Sequence, residues 1–173
     1  MKVEKVISCA TRSHETLKQD WFLPSFQDEC PVVVCELQDF SLSDRGRYRS
    51  RSFGKAVCDK VDFIVENVRR HQGALLVWAD VDIQFFKPIV PHLESLMQSS
   101  TADMLFQKGD HLTAKERVCS GFFVCRCTPQ TLRFWKAVRL MMRCPGRKSD
   151  ERCVNIMLGR QFKYIGPLSG ISW

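Results

Sequence analysis

The stretch Ala74-Leu75-Leu76-Val77-Trp78-Ala79-Asp80-Val81-Asp82-Ile83-Gln84-Phe85-Phe86 decides how this chain is read. Its opening run, Ala74 to Trp78, is continuously apolar and too short for a helix, which fits a strand buried on both faces. That strand passes without interruption into Asp80 and Asp82, so carboxylates emerge where it ends. At i and i+2 they point to one side while the strand persists, about 7 Å apart by strand rise, close enough to share one metal–nucleotide complex. Oxygen-only ligands suit hard Mg2+ or Mn2+, which keep waters and take one or two carboxylates plus substrate phosphates. The plainer alternative has Asp80 capping the following turn and Asp82 merely solvated. The apolar wall on both sides of the pair gives the carboxylates a reason to be held and tips the reading toward a site.

Working outward, Lys2 to Ala10 and the valine-rich Pro31 to Cys35 read as two more buried strands, and Asp103 to Gln107, Gly121 to Cys127 and Phe162 to Ile165 as three further ones. Helical spacing lies between them. Thr11 or Ser13 is placed to cap a helix bearing Leu17 and Trp21 at i, i+4, which Pro24 closes. From Lys55 the positions Val57, Val61, Ile64, Val65 and Val68 form an apolar stripe, with Arg69, Arg70 and His71 at the carboxyl end and Gly73 as the left-handed cap. Pro88 or Pro91 opens a helix carrying Leu93, Leu96 and Met97. Thr128 caps and Pro129 opens the next, with Leu132, Trp135, Val138 and Met142 on one face. Ser149, Asp150 and Glu151 begin another, for which Gly159 marks the stop. Strands alternating with helices predict an α/β domain: a mostly parallel sheet with helices on both faces, binding its ligand outside the carboxyl ends of the strands, beside Asp80 and Asp82.

The chain has 173 residues, enough for one domain, and its 45% hydrophobic and 26% charged content excludes disordered and fibrous classes. Lys and Arg exceed Asp and Glu by 26 to 19, a net +7 that suits phosphate-bearing partners. No segment approaches the roughly 20 apolar residues of a membrane helix, and Met1 to Arg12 lacks a secretory apolar core, so a cytoplasmic location is expected. The 9 cysteines are odd in number and lie mostly in apolar runs, which predicts reduced buried thiols rather than a disulfide framework. Cys125 and Cys127 form at most half a zinc motif, with no partner at ligand spacing. Between Ser41 and Gly54 the chain turns polar, with Arg45, Arg47, Arg49 and Arg51 interleaved by Gly46, Tyr48 and Ser50, which reads as a loop.

The run Trp78-Ala-Asp-Val-Asp-Ile-Gln-Phe-Phe-Lys-Pro88 resembles the D-x-D segment of the nucleotide-diphospho-sugar transferase family, glycosyltransferases of the GT-A fold. Asp103-Met-Leu-Phe-Gln107, Ser120-Gly-Phe-Phe-Val124, Thr131-x-x-Phe134-Trp135 and Asp150-Glu151 with Asn155 follow in that family's order, so the resemblance spans Val6 to Leu168. It implies a single GT-A-like, Rossmann-like domain over residues 1–173, cut short at its carboxyl end, that moves a sugar from a nucleoside diphosphate donor to a glycan, protein or small-molecule acceptor. Asp80 would then meet the nucleotide or metal and Asp82 the Mn2+ or Mg2+ ion bridging the diphosphate. Lys60, Arg49 and Arg51 are candidates for nucleotide or phosphate contacts. Asp103, Gln107, Asp110, Ser120, Gly121 and Asn155 would line the sugar and acceptor side, and Asp150 or Glu151 would be the acceptor-binding or catalytic carboxylate. Two positions depart from the family: Cys119 or Ser120 stands where Asn is common, and Arg152 where Gln is common.

Two other functions compete. An aspartate-nucleophile phosphatase also places D-x-D after an apolar strand, but usually on the first strand of the domain and with Thr or Val next, where Ile83 stands here. A non-catalytic module could instead grip nucleic acid through the arginine loop, although so short a basic stretch is commonly just solvated, and no nucleic-acid partner is expected.

Overall fold

The computed structural model describes residues 1–37, 51–109, 118–144 and 149–161. Five strands form one sheet: β1 (Val3–Ala10), β2 (Val32–Glu36), β3 (Leu75–Ala79), β4 (Met104–Lys108) and β5 (Val118–Arg126), in the order β2-β1-β3-β5-β4. β1 pairs parallel with β2 and with β3, while β5 runs antiparallel to both β3 and β4. Four strands therefore share a direction and β5 alone opposes it. The mostly parallel α/β sheet expected from the sequence is present.

Continuous apolar strands need cover on both sides, and the inner strands have it, whereas β2, expected to be buried, is an edge strand with no buried residue and leaves Val33 exposed. Ile7, Leu76, Trp78, Phe106, Phe123 and Cys125 face one core, shared with α2 (Arg51–Arg70), α4 (Pro129–Met142) and α5 (Asp150–Gln161). Val6, Leu75, Val77, Ala79, Phe122 and Val124 face the other, closed by Phe22, Phe85 and α3 (Val90–Ser99). The carboxyl ends of β1 and β3 and the start of β5 meet at one edge, which is where Asp80 emerges.

Local signals hold at several ends. The Thr128 hydroxyl accepts from the Thr131 amide at 3.1 Å, capping α4, and Gly73 carries a φ of 89°. The amino end of α3 is capped from a distance: the Asp28 carboxylate accepts from Ile89 N at 2.9 Å and Val90 N at 3.1 Å. All cysteines are free thiols, with Cys125, Cys127 and Cys153 buried.

Several expectations are corrected. The segment after β1 is not one α-helix capped by Thr11. It is a 3-10 turn (Arg12–His14), a π-helical stretch (Leu17–Phe22) and the short α1 (Leu23–Ser25). Winding i to i+5 moves the inward position one residue on, so Phe22 is fully buried and Trp21 stands 52% exposed. α2 begins at Arg51, within the stretch read as a loop, β5 begins at Val118 rather than Gly121, and α5 continues past Gly159 to Gln161. The strand expected over Phe162–Ile165 lies outside the described residues.

Candidate functional site

β3 ends at Ala79, and the chain leaves it in a turn in which Ile83 N donates to Asp80 O at 3.1 Å. The strand alternation invoked for Asp80 and Asp82 therefore stops before either residue. Asp80 keeps the side of Trp78, turned toward α2 and α5, whereas Asp82 stands exposed on the turn. No hydrogen bond or ion pair holds the Asp82 side chain among the described residues.

Asp80 is the centre of a network drawn from four elements. The Trp78 indole Nε1–H donates to Asp80 Oδ1 at 2.8 Å. Lys60 Nζ, from α2, lies 2.9 Å from the same oxygen and 3.1 Å from Oδ2. Lys60 also pairs with Asp150 Oδ2, from the first turn of α5, at 3.0 Å. The Ser120 hydroxyl, from β5, donates to that Asp150 oxygen at 2.9 Å. Lys60 and Asp150 are buried, while the Asp80 side chain remains 34% exposed, so the cluster opens to solvent through Asp80.

Charge explains the titration of these groups. Burial pulls the Lys60 ammonium down, but Asp150 and Asp80 outweigh it and lift it above its ordinary value. Burial pushes the Asp80 carboxyl up, more than Lys60 holds it down. At Asp150 the balance reverses, and Lys60 holds the carboxyl below the usual aspartate range against the effect of burial. Burial pushes the nearby Cys9 thiol to about 12, which leaves it protonated and unfit as a nucleophile at neutral pH.

Ser120 reaches Asp150 because β5 is irregular there. Phe106 of β4 pairs with Phe123, but Gln107 pairs with Cys119, so Ser120, Gly121 and Phe122 bulge from that ladder. Gly121 stays paired to the other side, where its carbonyl accepts from Asp80 N at 2.8 Å. A Cβ at Gly121 would come within 3.0 Å of Asp80 Oδ2 and 3.3 Å of Cys119 Sγ. The glycine lets the carboxylate lie against the backbone.

The structure sorts the other expected site residues. Lys60 is neither a solvated charge nor a free phosphate contact, because the two aspartates already hold its ammonium. Asp150 serves as its counter-ion and is enclosed rather than presented. Glu151 is half-buried on the next position of α5, and its carbonyl accepts from Asn155 Nδ2 at 2.9 Å. Asn155 does not reach for a ligand: its amide clasps Val118, accepting from the backbone N at 2.9 Å and donating to the carbonyl at 2.8 Å. Asp103 is misplaced by the sequence reading. It precedes β4, its carbonyl accepts from Arg126 N at 2.7 Å, and it therefore lies at the edge of the sheet opposite Asp80. Gln107, at the other end of β4, does sit beside the bulge. Arg49, Asp110 and the side chain of Arg51 lie outside the described residues. Trp78 was read only as a strand residue, since nothing in the sequence marks an indole as a partner of a carboxylate two residues on.

Among the described residues no three His, Cys, Asp or Glu side chains converge as a metal cage. The donor set fits a hard cation that takes one or two carboxylates and draws its other ligands from phosphate and water. Asp82 offers a carboxylate without a partner among the described residues, and Asp80 offers the solvent-facing part of its own.

An open α/β sheet of this kind places its ligand site outside the carboxyl ends of the strands, the end at which Asp80 and Asp82 stand. The chain belongs to the nucleotide-diphospho-sugar transferase family, whose model matches residues 23–171. Among solved structures it resembles the apo-form glycosyltransferase GlyE of Streptococcus pneumoniae TIGR4, at a TM-score of 0.57 and 10% identity over 95% of this chain and 45% of that one. A second structure of GlyE from the same organism gives a TM-score of 0.55 and 10% identity, over 91% of this chain and 43% of that one. The chain thus spans less than half the length of these structural relatives, and the likeness is one of fold. No curated protein sequence matches it. No helix among the described residues is long and apolar enough to cross a membrane.

Proposed function

We propose that this chain binds a nucleoside diphosphate sugar at the Asp80–Asp82 turn and transfers the sugar to an acceptor with the help of Mn2+ or Mg2+. One observation carries the reading. At the carboxyl end of β3, Asp80 is anchored by Trp78 and Lys60 while the adjacent Asp82 stands exposed and unpaired among the described residues.

Transfer breaks the bond between the anomeric carbon and the diphosphate, whose oxygen keeps the electron pair, as the acceptor oxygen bonds to that carbon and gives up its proton. The departing diphosphate gains negative charge, and groups that offset this charge stabilise the transition state more than the ground state. A bound divalent cation would supply that compensation. Asp82 is the residue to hold it, with Asp80 orienting the nucleotide beside it. Lys60 holds Asp80 in place, and Asp150, steadied by Ser120, holds Lys60. Gly121 and Gln107, beside the β5 bulge, would lie toward the sugar, and Glu151 on α5 remains a candidate for an acceptor contact. The acceptor itself, whether glycan, protein or small molecule, is left open by this reading.

An aspartate-nucleophile phosphatase is disfavoured by the same geometry. It needs an oxygen of the first aspartate free to attack phosphorus, and here Trp78 and Lys60 hold Asp80 Oδ1 while Lys60 and the Gly121 backbone crowd Oδ2. The test is calorimetric titration with UDP and with GDP, each with and without Mn2+. Binding by one nucleotide that requires the metal, and its loss in Asp82→Ala, is the expected result. Binding indifferent to Mn2+, or wild-type affinity in Asp82→Ala, would overturn the proposal.

A further inference from the structure

We infer that Trp78 is a positioning residue for the donor site, the group that fixes the orientation of the Asp80 carboxylate beside a bound nucleotide diphosphate. The inference rests on the donor reading above and goes beyond it by assigning a role in the site to a residue of the core.

Trp78 is fully buried, and a buried indole N–H seeks a partner. Backbone carbonyls would serve, yet its partner is the one carboxylate of the cluster that opens to solvent. The ring cannot easily turn away. It stacks on Phe123 at 6.5 Å between centroids and 15° between planes, and Phe123 in turn stacks on Trp135 at 4.8 Å. Lys60 Nζ lies 5.1 Å over the same indole, so the ring also steadies the ammonium that grips Asp80.

The two donors converge on one atom. Oδ1 receives Trp78 Nε1 at 2.8 Å and Lys60 Nζ at 2.9 Å, while Oδ2 receives only the longer Lys60 contact of 3.1 Å. Oδ2 is also the atom beside Gly121, where a missing Cβ leaves room. Asp80 sits just past the end of a strand, at the first residue of a turn, where its side chain would otherwise choose among rotamers. Trp78 removes that choice and holds the carboxylate with Oδ2 against Gly121.

Trp78→Phe keeps a ring on Phe123 and deletes the N–H. Hydrogen bonds to charged groups are strong enough that the affinity for UDP or GDP with Mn2+, measured by calorimetry, should fall about tenfold or more. In steady-state transfer the donor KM should rise by more than kcat falls, because the lost contact orients the bound ground state. Unchanged affinity in a folded Trp78→Phe protein would overturn the inference. Should that variant fail to fold, the wild-type chain decides by NMR of 15N-labelled tryptophan, with the Trp78 indole signal assigned through its contacts to Phe123. Adding the binding nucleotide with Mg2+ should shift that signal together with the Asp82 amide. A shift at Asp82 with Trp78 unmoved sinks the positioning role alone, and no nucleotide binding at all sinks the donor reading with it.

Discussion

Lys60 Nζ lies 3.0 Å from Asp150 Oδ2 and thereby ties α2 to α5 beneath the carboxyl end of β3. One ammonium stands between two carboxylates there, and both ends of this particular pair are buried. Removing the cation leaves Asp80 and Asp150 facing each other with nothing to offset their charge. Lys60→Met should destabilise the fold by about 3 kcal/mol, the lower end of the cost of breaking a buried pair, since Asp80 is partly solvated. Urea unfolding measures it, and adding Asp150→Asn should recover part of the loss. A Lys60→Met protein as stable as wild type would show that the cluster contributes nothing.

The same cluster sets a pH window. Lys60 has a raised folded value, so its stabilisation is complete below its ordinary value of 10.5 and is lost as pH rises through the folded one. Asp150 has a depressed value, so its stabilisation is present above the ordinary 3.8 and is lost as pH falls through its folded value. Asp80 is shifted upward, so its folded form holds a proton more tightly than the unfolded chain and offsets part of the Asp150 effect in acid. The stability gap between wild type and Lys60→Met should be widest near neutral pH and narrow on both sides. Denaturant midpoints across a pH series check this, and a gap that keeps growing into strong alkali would contradict it.

Gly121→Ala tests how tightly the site is built. The new methyl would meet Asp80 Oδ2 at 3.0 Å, and that carboxylate is held by Trp78 and Lys60 and cannot simply swing away. Overpacking of this kind costs about 1–3 kcal/mol. Nucleotide affinity should fall with it, whereas Gly159→Ala, within α5 and with open space around the added atom, should leave affinity unchanged and raise stability by about 0.5–1 kcal/mol.

Asn155→Ala should loosen α5 from the sheet without touching the acidic turn. It would orphan the Val118 N–H and C=O that the amide now satisfies, at about 1–3 kcal/mol. Hydrogen exchange at the Val118 amide should accelerate. Protection retained there would mean the clasp is dispensable.

Much of this architecture is legible in the chain because its causes are local. A continuous apolar run between turn residues makes β3 a buried strand, and Thr128 followed by Pro129 makes the start of α4, whatever the rest of the molecule does. The departures have a common origin. Trp21 lost its place in the core to Phe22 because a π-helical stretch replaced α-helical winding. Asp103 lies at the edge away from Asp80 because it stands at the amino end of β4, a strand parallel to β3, whereas Asp80 follows the carboxyl end of β3. Asn155 was read as a ligand contact although its amide is occupied by the backbone of β5.

By itself, then, the order of residues determined which segments became strands and helices and that acidic groups would follow the most apolar strand, since these depend on spacing and side-chain chemistry within a few residues. Tertiary structure alone decided that β5 runs against its neighbours, that its bulge turns Ser120 onto Asp150, and that Lys60 and Trp78 close on Asp80. Those outcomes are contacts between groups from different elements, and a carboxylate's partner in space has no signature in the residues beside it.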